Sequence, residues 1–236
     1  MTTKTDRPET DGAKPEAVVY PNCAIWPENI LRFHIVFNRP MDMERALDFV
    51  RLETEDGDLI EDAIVDMIDG LWTPDQRVLT VLFHPGRVKA GLAANKSMGR
   101  PLHQNSSYRV RLCGAMRDAN GDSLGRDVLF PFVVGSPQYD PINPGDWTWN
   151  LPQIGSRNPL CIRTIKSLDF LGVTNNLLIT DRNGPILLSD IDLDGRSIIV
   201  RPKNPWRDCN VQVSSHINLE DVCGNRSGAA FEHANF

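Results

Sequence analysis

The chain has 236 residues and a net charge of −6, with 41% hydrophobic and 24% charged residues. This length suffices for one large domain or two of ordinary size, and the composition is that of a folded protein rather than a disordered one. The acidic balance argues against a nucleic-acid surface, which needs clustered Lys and Arg. No apolar run of the sequence reaches the roughly 18 residues of a membrane span, so we expect no transmembrane segment.

The first sixteen residues, MTTKTDRPETDGAKPE, are polar and rich in Thr, Asp and Pro. They lack the apolar stretch of a signal peptide, so residues 1–16 are expected to form a flexible N-terminal tail. These residues do not decide the cellular compartment, because a cytoplasmic protein and an exported protein whose signal has been removed could both have this N-terminal sequence.

The segment 17–135 is dominated by strand patterns. Runs rich in β-branched and aromatic residues end at turns of Gly, Pro, Asn and Asp, which is typical of a small β-sandwich. Helical periodicity is weak, with short candidates only at 43–50 and 86–94. The strand runs are LRFHIVF (31–37), RVLTVLF (77–83), YRVRLCGAM (108–116) and VLFPFVVG (128–135).

Residues 136–149 are rich in Pro, with two Trp residues near the end. Pro stiffens the backbone and removes a sheet donor, so this segment is predicted to be an interdomain linker. Trp147, Trp149 and the nearby Tyr139 have two interpretations. They either wedge between two domains and fix their angle, or form a flat stacking platform for sugar rings.

The first pattern then returns in residues 150–236, which predicts a second domain. PLCIRTIKSLD (159–169) parallels LRFHIVFNRPMD (31–42), each a strand that ends on an apolar residue plus Asp. SIIVRPKNPW (197–206) likewise parallels LTVLFHPGRV (79–88), each a strand that runs into Pro.

A D-x-x-G motif occurs late in both halves, in RDANGD (117–122) and EDVCGN (220–225). Asp and Asn start tight turns by accepting backbone N–H bonds, and Gly supplies a positive φ. We therefore interpret both motifs as one structural turn used twice, before the last strand of each domain. Its residues are Asp118, Gly121, Asp221, Gly224 and Asn225.

These landmarks resemble the bacterial Ig-like domain of the S-layer-protein type, found in tandem in surface and envelope proteins. The family's F-s-x-P-M-D first core strand is matched by Phe37–Asp42, and its D-x-x-G-N turn by Asp221–Asn225. The resemblance covers roughly residues 17–236. The second unit departs from it, because IRTIKSLD lacks the usual Phe and Pro and CNVQVSSHI lacks the Tyr.

The resemblance implies an all-β protein of two tandem immunoglobulin-like β-sandwiches, used as spacer, scaffold or recognition modules, with no conserved chemistry. The first unit also carries an extra segment between Pro85 and its Tyr strand, which we call the inserted segment (residues 86–106). Function in such folds lies in loops on the sheet ends. The inserted segment, with Lys96, Arg100 and His103, and the linker aromatics are therefore the candidate contact surfaces.

No spacing in the sequence matches a catalytic or zinc motif, and we expect no enzyme activity, catalytic residue or cofactor. Two acidic runs, 53–70 and 190–195, are interpreted as charged strand edges. Their oxygen donors also raise the hypothesis of Ca²⁺ binding, although the spacing is not that of a calcium loop. The five Cys residues form an odd set; most are expected to be buried and free, with Cys223 accessible in its turn.

The sequence thus predicts a non-enzymatic structural or recognition module of a bacterial envelope or surface assembly. Its partner would be a protein or a surface polymer. The alternative is a carbohydrate-binding or hydrolase-accessory protein that uses the linker aromatics.

Overall fold

The computed structural model describes residues 14–231, which divide into two compact units. The N-terminal unit ends at Gln138 and the C-terminal unit is Tyr139–Phe231. Most of the segment predicted as a linker, from residue 139 to 149, therefore belongs to the C-terminal unit.

The N-terminal unit consists of eight strands with short helices between them. The helices are a 3-10 turn at Ala46–Phe49, α1 at Pro85–Val88 and α2 at Ala93–Met98. The candidate helix at 43–50 is thus reduced to one 3-10 turn. The strands are β1 (Ala17–Tyr20), β2 (Ile25–Pro27), β3 (Arg32–Phe37), β4 (Val50–Thr54), β5 (Leu71–Trp72), β6 (Val78–Leu82), β7 (Ser107–Leu112) and β8 (Val128–Gly135).

The order of these strands is that of an immunoglobulin sandwich. One sheet has the order β1-β3-β6-β5 and the other β2-β8-β7-β4. Lettered along the chain, these are A-B-E-D and A′-G-F-C, the two sheets of the immunoglobulin fold. All pairings are antiparallel except that of β2 with β8, where Ile25 lies opposite Val133.

The core of this unit is built on aromatic side chains from both sheets. Trp26 and Phe132 stack with ring centroids 4.0 Å apart, and Phe33 lies 5.5 Å from Trp26. In β3 five of six residues are buried, including His34, whose Nδ1 lies 3.0 Å from Thr80 Oγ1. His34 is therefore a buried residue of the strand predicted at 31–37.

The outer face of the second sheet carries an ionic network. Glu53 on β4 is 3% exposed, and its carboxylate lies 3.0 Å from Arg109 Nε and 2.7 Å from Arg111 Nε on β7. Cross-strand neighbours of opposite charge stabilise a sheet pair. The two arginines cover Glu53 with their side chains and so make burial of its charge tolerable.

The C-terminal unit repeats the same plan with seven strands. Its helices are a 3-10 turn at Pro144–Asp146 and α3 at Phe170–Asn176. The strands are β9 (Thr148–Trp149), β10 (Leu160–Arg163), β11 (Leu177–Asp181), β12 (Gly184–Pro185), β13 (Leu188–Asp194), β14 (Ser197–Pro202) and β15 (Gln212–Ser215).

The first sheet of this unit has the order β13-β14-β10-β9, the same D-E-B-A order as in the N-terminal unit. The second has the order β12-β11-β15. Strand β13, which holds the acidic run 190–194, is an edge strand, and that prediction is confirmed. The last strand predicted near the C-terminus falls partly on residues 232–236, outside the described part of the chain.

The C-terminal core is mostly aliphatic, with the aromatic rings of Trp147, Phe170 and Trp206. Ile162, Val200 and Leu219 are all completely buried, and Trp206 is 2% exposed. The indole N–H of Trp206 donates to the carbonyl oxygen of Asn158 at 2.8 Å, so the buried ring keeps its polar atom satisfied. The protein is all-β and made of β-sandwiches, as the sequence predicts.

Candidate contact surface

The turn at Asp118 is held by a buried carboxylate. Asp118 is 1% exposed, and its Oδ1 accepts bonds from the backbone N–H groups of Asn120 and Asp122, both at 2.9 Å. Gly121 N–H donates to the Asp118 carbonyl at 2.9 Å, with Gly121 at φ 90°. The glycine is required there because other residues rarely adopt that φ.

The turn at Asp221 has the same pattern of hydrogen bonds, with one further bond from the side-chain amide of Asn225. Asp221 is fully buried, and its Oδ1 accepts from the N–H groups of Cys223 and Asn225, both at 2.9 Å. Its Oδ2 accepts from Asn225 Nδ2 at 2.9 Å, and Gly224 N–H donates to the Asp221 carbonyl at 3.0 Å. All five predicted turn residues therefore lie in two copies of one turn.

Each turn is tied to the first core strand of its own unit. Met41 pairs with Asp118 through an isolated bridge, and Leu168 pairs with Asp221 in the same way. A cation two residues before the bridging residue faces each carboxylate. Arg39 Nη1 lies 3.3 Å from Asp118 Oδ2, and Lys166 Nζ lies 3.8 Å from Asp221 Oδ2.

Burial raises the pKa of Asp221 above its ordinary value. The bonds from Asn225 and Cys223 and the charge of Lys166 act in the opposite direction, but removal from water dominates. A carboxyl with a raised pKa in the folded state keeps its proton to higher pH than it does in the unfolded chain. Its contribution to the free energy of unfolding therefore decreases as pH rises from the ordinary Asp pKa through the folded value.

Comparison of the native chain with the Asp221→Asn variant tests whether the pKa of Asp221 is raised in the folded state. We expect the free energy of unfolding of the native chain, relative to the variant, to decrease as pH rises above about 4. Urea unfolding of both proteins at several pH values measures the difference. An increase over the same range would show that the hydrogen bonds to the carboxylate outweigh its burial.

The cysteine expectations need correction. Cys223 is 1% exposed, although its place in a turn predicted an accessible thiol. The turn closes inward on Asp221, and this takes Cys223 into the core. Conversely Cys161 is exposed, and Cys23, Cys113 and Cys209 are half-buried; within residues 14–231 no disulfide joins any of the five.

The inserted segment forms a small helical layer at one end of the N-terminal unit. Pro85 occupies the first turn of α1, where its missing N–H costs nothing. Gly91 at φ 80° separates α1 from α2, and Gly99 at φ 72° ends α2. Gly91 therefore explains why the predicted helix at 86–94 is broken in two.

A buried arginine holds this layer together. Arg87 is 7% exposed, and its guanidinium donates to the carbonyl oxygens of Gly99 at 3.1 Å, Glu61 at 2.8 Å and Arg100 at 3.5 Å. The Arg87 carbonyl in turn accepts from Asn95 Nδ2 at 2.6 Å. Arg87 thus links the two ends of the inserted segment to the loop that contains Glu61.

A second arginine ties the segment to the sandwich. Arg100 Nε donates to the Val88 carbonyl at 3.1 Å, and its Nη1 lies 2.9 Å from Glu28 Oε2. The other oxygen of Glu28 accepts from Gln104 N–H at 3.0 Å. Arg100, predicted as a contact residue, is therefore a structural link, and His103 beside it is exposed.

The exposed residues around α2 include two large apolar side chains beside the polar Lys96 and Ser97. Leu92 is 44% exposed and Met98 is 49% exposed, while Lys96 between them is also exposed. The inward side contributes Val88 and Leu102, each 1% exposed, to the core. The segment therefore presents apolar side chains to solvent on a backbone that is fixed from beneath.

The linker aromatics lie in the C-terminal unit. Trp147 is 7% exposed, and Trp149 on β9 lies opposite Ile162 of β10. A ring as buried as that of Trp147 has no open face for a sugar, so the stacking platform has no support from this residue. Trp149 and Tyr139 are half-buried.

A cleft of about 350 Å³ lies beside the Asp118 turn. It is lined by carboxylates and guanidinium groups together, and Arg45 and Asp48 in its wall form an ion pair at 2.7 Å. The mixed charge gives the cleft no preference for ligands of one sign. Its lining residues are Asp42, Glu44, Arg45, Asp48, Phe49, Ala115, Met116 and Arg117.

Within residues 14–231, no group of three or more His, Cys, Asp or Glu side chains is placed to hold a metal ion. In the same part of the chain, no helix has the length and apolar character needed to cross a membrane.

Arg87, which holds the inserted segment, is the residue that sequence reasoning missed. Arg87 stands among small and apolar residues in PGRVKAGL. An arginine in such a setting is a signal for a buried guanidinium, but its carbonyl partners are distant in the sequence.

No protein-family model matches the chain, and no curated protein matches it. Among solved structures it is similar to native alpha-2-macroglobulin from Escherichia coli, in a fragment spanning domains MG0-NIE-MG1, with 10% identity and a TM-score of 0.33. The match covers 86% of this chain and 61% of that chain, so it spans less than two thirds of the fragment. Strand order, rather than this likeness, defines the class: a tandem pair of immunoglobulin-like β-sandwiches.

Proposed function

We propose that the chain is a non-enzymatic structural or recognition module of a bacterial envelope or surface assembly, with the inserted segment as its contact surface. The S-layer-type resemblance of its turns and first core strands supports the envelope setting. The observation that supports this contact surface is that the buried Arg87 holds the segment through bonds to the carbonyls of Gly99 and Glu61, while Leu92 and Met98 of the same segment are exposed.

A surface that is fixed before binding loses little conformational entropy on binding. Arg87 and Arg100 fix the inserted segment through backbone carbonyls, so its outer side chains are displayed on an ordered layer. Exposed apolar side chains such as those of Leu92 and Met98 favour contact with a protein. A protein partner suits these side chains better than a sugar, which would need a stacking ring.

Fractionation of the native host, with protease shaving of intact cells, tests the envelope setting. We expect the protein in the envelope fraction and its loss on shaving. Co-purification with cytosolic markers alone would overturn the envelope assignment.

The contact surface is tested in the same host with Leu92→Ser combined with Met98→Ser. We expect the envelope-bound fraction to fall about tenfold, because the apolar contacts are lost. The matched control combines Leu151→Ser with Ile217→Ser, two residues 60% and 67% exposed in the C-terminal unit. Equal retention of both variants would show that the inserted segment is not the contact surface.

A further inference from the structure

The N-terminal unit separates its charges into two neighbouring segments. Residues 55–69, which we call the acidic loop, contain seven Asp and Glu residues and no Lys or Arg. The inserted segment contains four Lys and Arg residues and no Asp or Glu. This contrast is sharp in a chain whose net charge is −6.

The acidic loop and the inserted segment lie side by side. His84 N–H donates to the Ala63 carbonyl at 2.8 Å, and Ile64 pairs with Phe83 at the end of β6. Arg87 Nη1 donates to the Glu61 carbonyl at 2.8 Å. One end of the unit therefore carries an acidic strip directly beside a strip whose exposed cation is Lys96, since Arg87 is buried and Arg100 is paired with Glu28.

Both strips also expose apolar side chains. In the acidic loop Ile68 is 80% exposed and Leu59 is 52% exposed. These match Leu92 and Met98 on the inserted segment, which are 44% and 49% exposed. All seven carboxylates of the acidic loop are exposed as well, so the loop offers both charge and apolar area to a partner.

We propose that the chain pairs with a second copy of itself through this end of the N-terminal unit. The inserted segment of one copy packs on the acidic loop of the other. Because the two strips are adjacent, a twofold axis between the copies makes both contacts at once, so a self-complementary interface results. This inference rests on the proposed function, since it names the partner of the same surface.

The charge pattern also sets the orientation of the pair. In the twofold arrangement Lys96 of each copy faces carboxylates of the other, whereas a parallel arrangement would oppose like charges. The ionic contacts lie at an exposed rim, where salt screens them. Association should therefore weaken as ionic strength rises.

Sedimentation velocity of the purified full chain tests the pairing, over a range of protein and salt concentrations. We expect a dimer at low salt and a shift toward monomer at high salt. The first variant combines Lys96→Glu with Met98→Ser, and the second combines Asp66→Lys with Asp69→Lys. Each alone should raise the dissociation constant at least tenfold, about 1.4 kcal/mol.

A mixture of the two variants tests whether the inserted segment of one copy contacts the acidic loop of the other. Opposite charges then face each other at both contacts, with the charges exchanged at one of them, so we expect mixed dimers to exceed the dimers of either variant alone. The control combines Lys203→Glu with Arg207→Glu, exposed in the C-terminal unit, and should dimerise like the native chain. Circular dichroism checks that every variant is folded.

A native chain that stays monomeric at every salt and protein concentration would overturn the pairing. So would a dimer that strengthens with salt, or one that neither variant weakens. If the purified chain is monomeric while the Leu92 and Met98 changes still release it from the envelope, the second copy is excluded and the proposed function stands.

Discussion

Asp221→Ala is expected to destabilise the C-terminal unit by about 3 kcal/mol or more, because three buried donors lose their acceptor. The donors are the backbone N–H groups of Cys223 and Asn225 and the side-chain amide of Asn225. The Leu168 bridge, which links the turn to the first core strand, would loosen with them. A loss of this size is a large fraction of the total stability of a domain of this length.

Hydrogen exchange followed by mass spectrometry measures this effect in each unit separately. We expect faster exchange across the C-terminal unit and unchanged exchange in β3, β6 and β7. Asp118→Ala should produce the opposite distribution, with the loss confined to the N-terminal unit. Asp194→Ala, at an exposed position of β13, is the matched control and should change stability by less than about 0.5 kcal/mol. Protection of Cys223 and Asn225 unchanged by Asp221→Ala would show that the carboxylate does not hold the turn.

Arg87→Ala is expected to open the inserted segment at a cost of about 2–4 kcal/mol. The guanidinium makes charge-assisted bonds to three carbonyls, and a typical bond to a charged group contributes about 1.5–3 kcal/mol. Without it the carbonyls of Glu61 and Gly99 lose their partner, and the acidic loop separates from the inserted segment.

Peptide-level hydrogen exchange over residues 84–106 reads out this opening directly. Arg87→Lys should recover part of the protection, because an ammonium reaches fewer carbonyls than a planar guanidinium. Ser97→Ala, at an exposed position of the same segment, is the control and should leave exchange unchanged. Equal exchange in the Arg87→Ala variant and the native chain would mean that Val88 and Leu102 alone hold the segment.

The fold was predictable because its signals are local. Strands such as RFHIVF and SYRVRL are read from their β-branched and aromatic content. The paired D-x-x-G turns are read from Asp and Gly chemistry within a few residues. The correspondence of Met41 with Leu168 needed only spacing, and the structure places each in the equivalent bridge of its own unit.

The features that were missed depend on contacts between distant residues. The sequence predicted that Thr148 and Trp149 belong to a Pro-rich linker. In the structure they form a strand that pairs with Arg163 and Ile162 at the edge of β10. Cys223 read as accessible because a turn is usually exposed, while the bonds between Asp221 and Asn225 draw this one inward. Arg87 had no visible role, since its partners are carbonyl oxygens, which every residue carries.

The contact surface was predicted only in outline. Position and length of the inserted segment followed from comparing the two halves of the sequence. Which of its residues are exposed and which are structural did not follow from the sequence. Arg100 and Lys96 are alike in charge, and the partners that hold Arg100, Glu28 and the Val88 carbonyl, are not adjacent to it in the sequence.

The position of the cations beside the two buried carboxylates has a practical consequence for recognising this repeat. Arg39 and Lys166 each stand two residues before the bridging apolar residue, and each bridging residue is followed by Asp, with D-x-x-G farther along. The intervening length differs, so an alignment scored over the full repeat dilutes the match. A search profile restricted to these few positions, with a variable gap, should detect further copies in sequences that share little else.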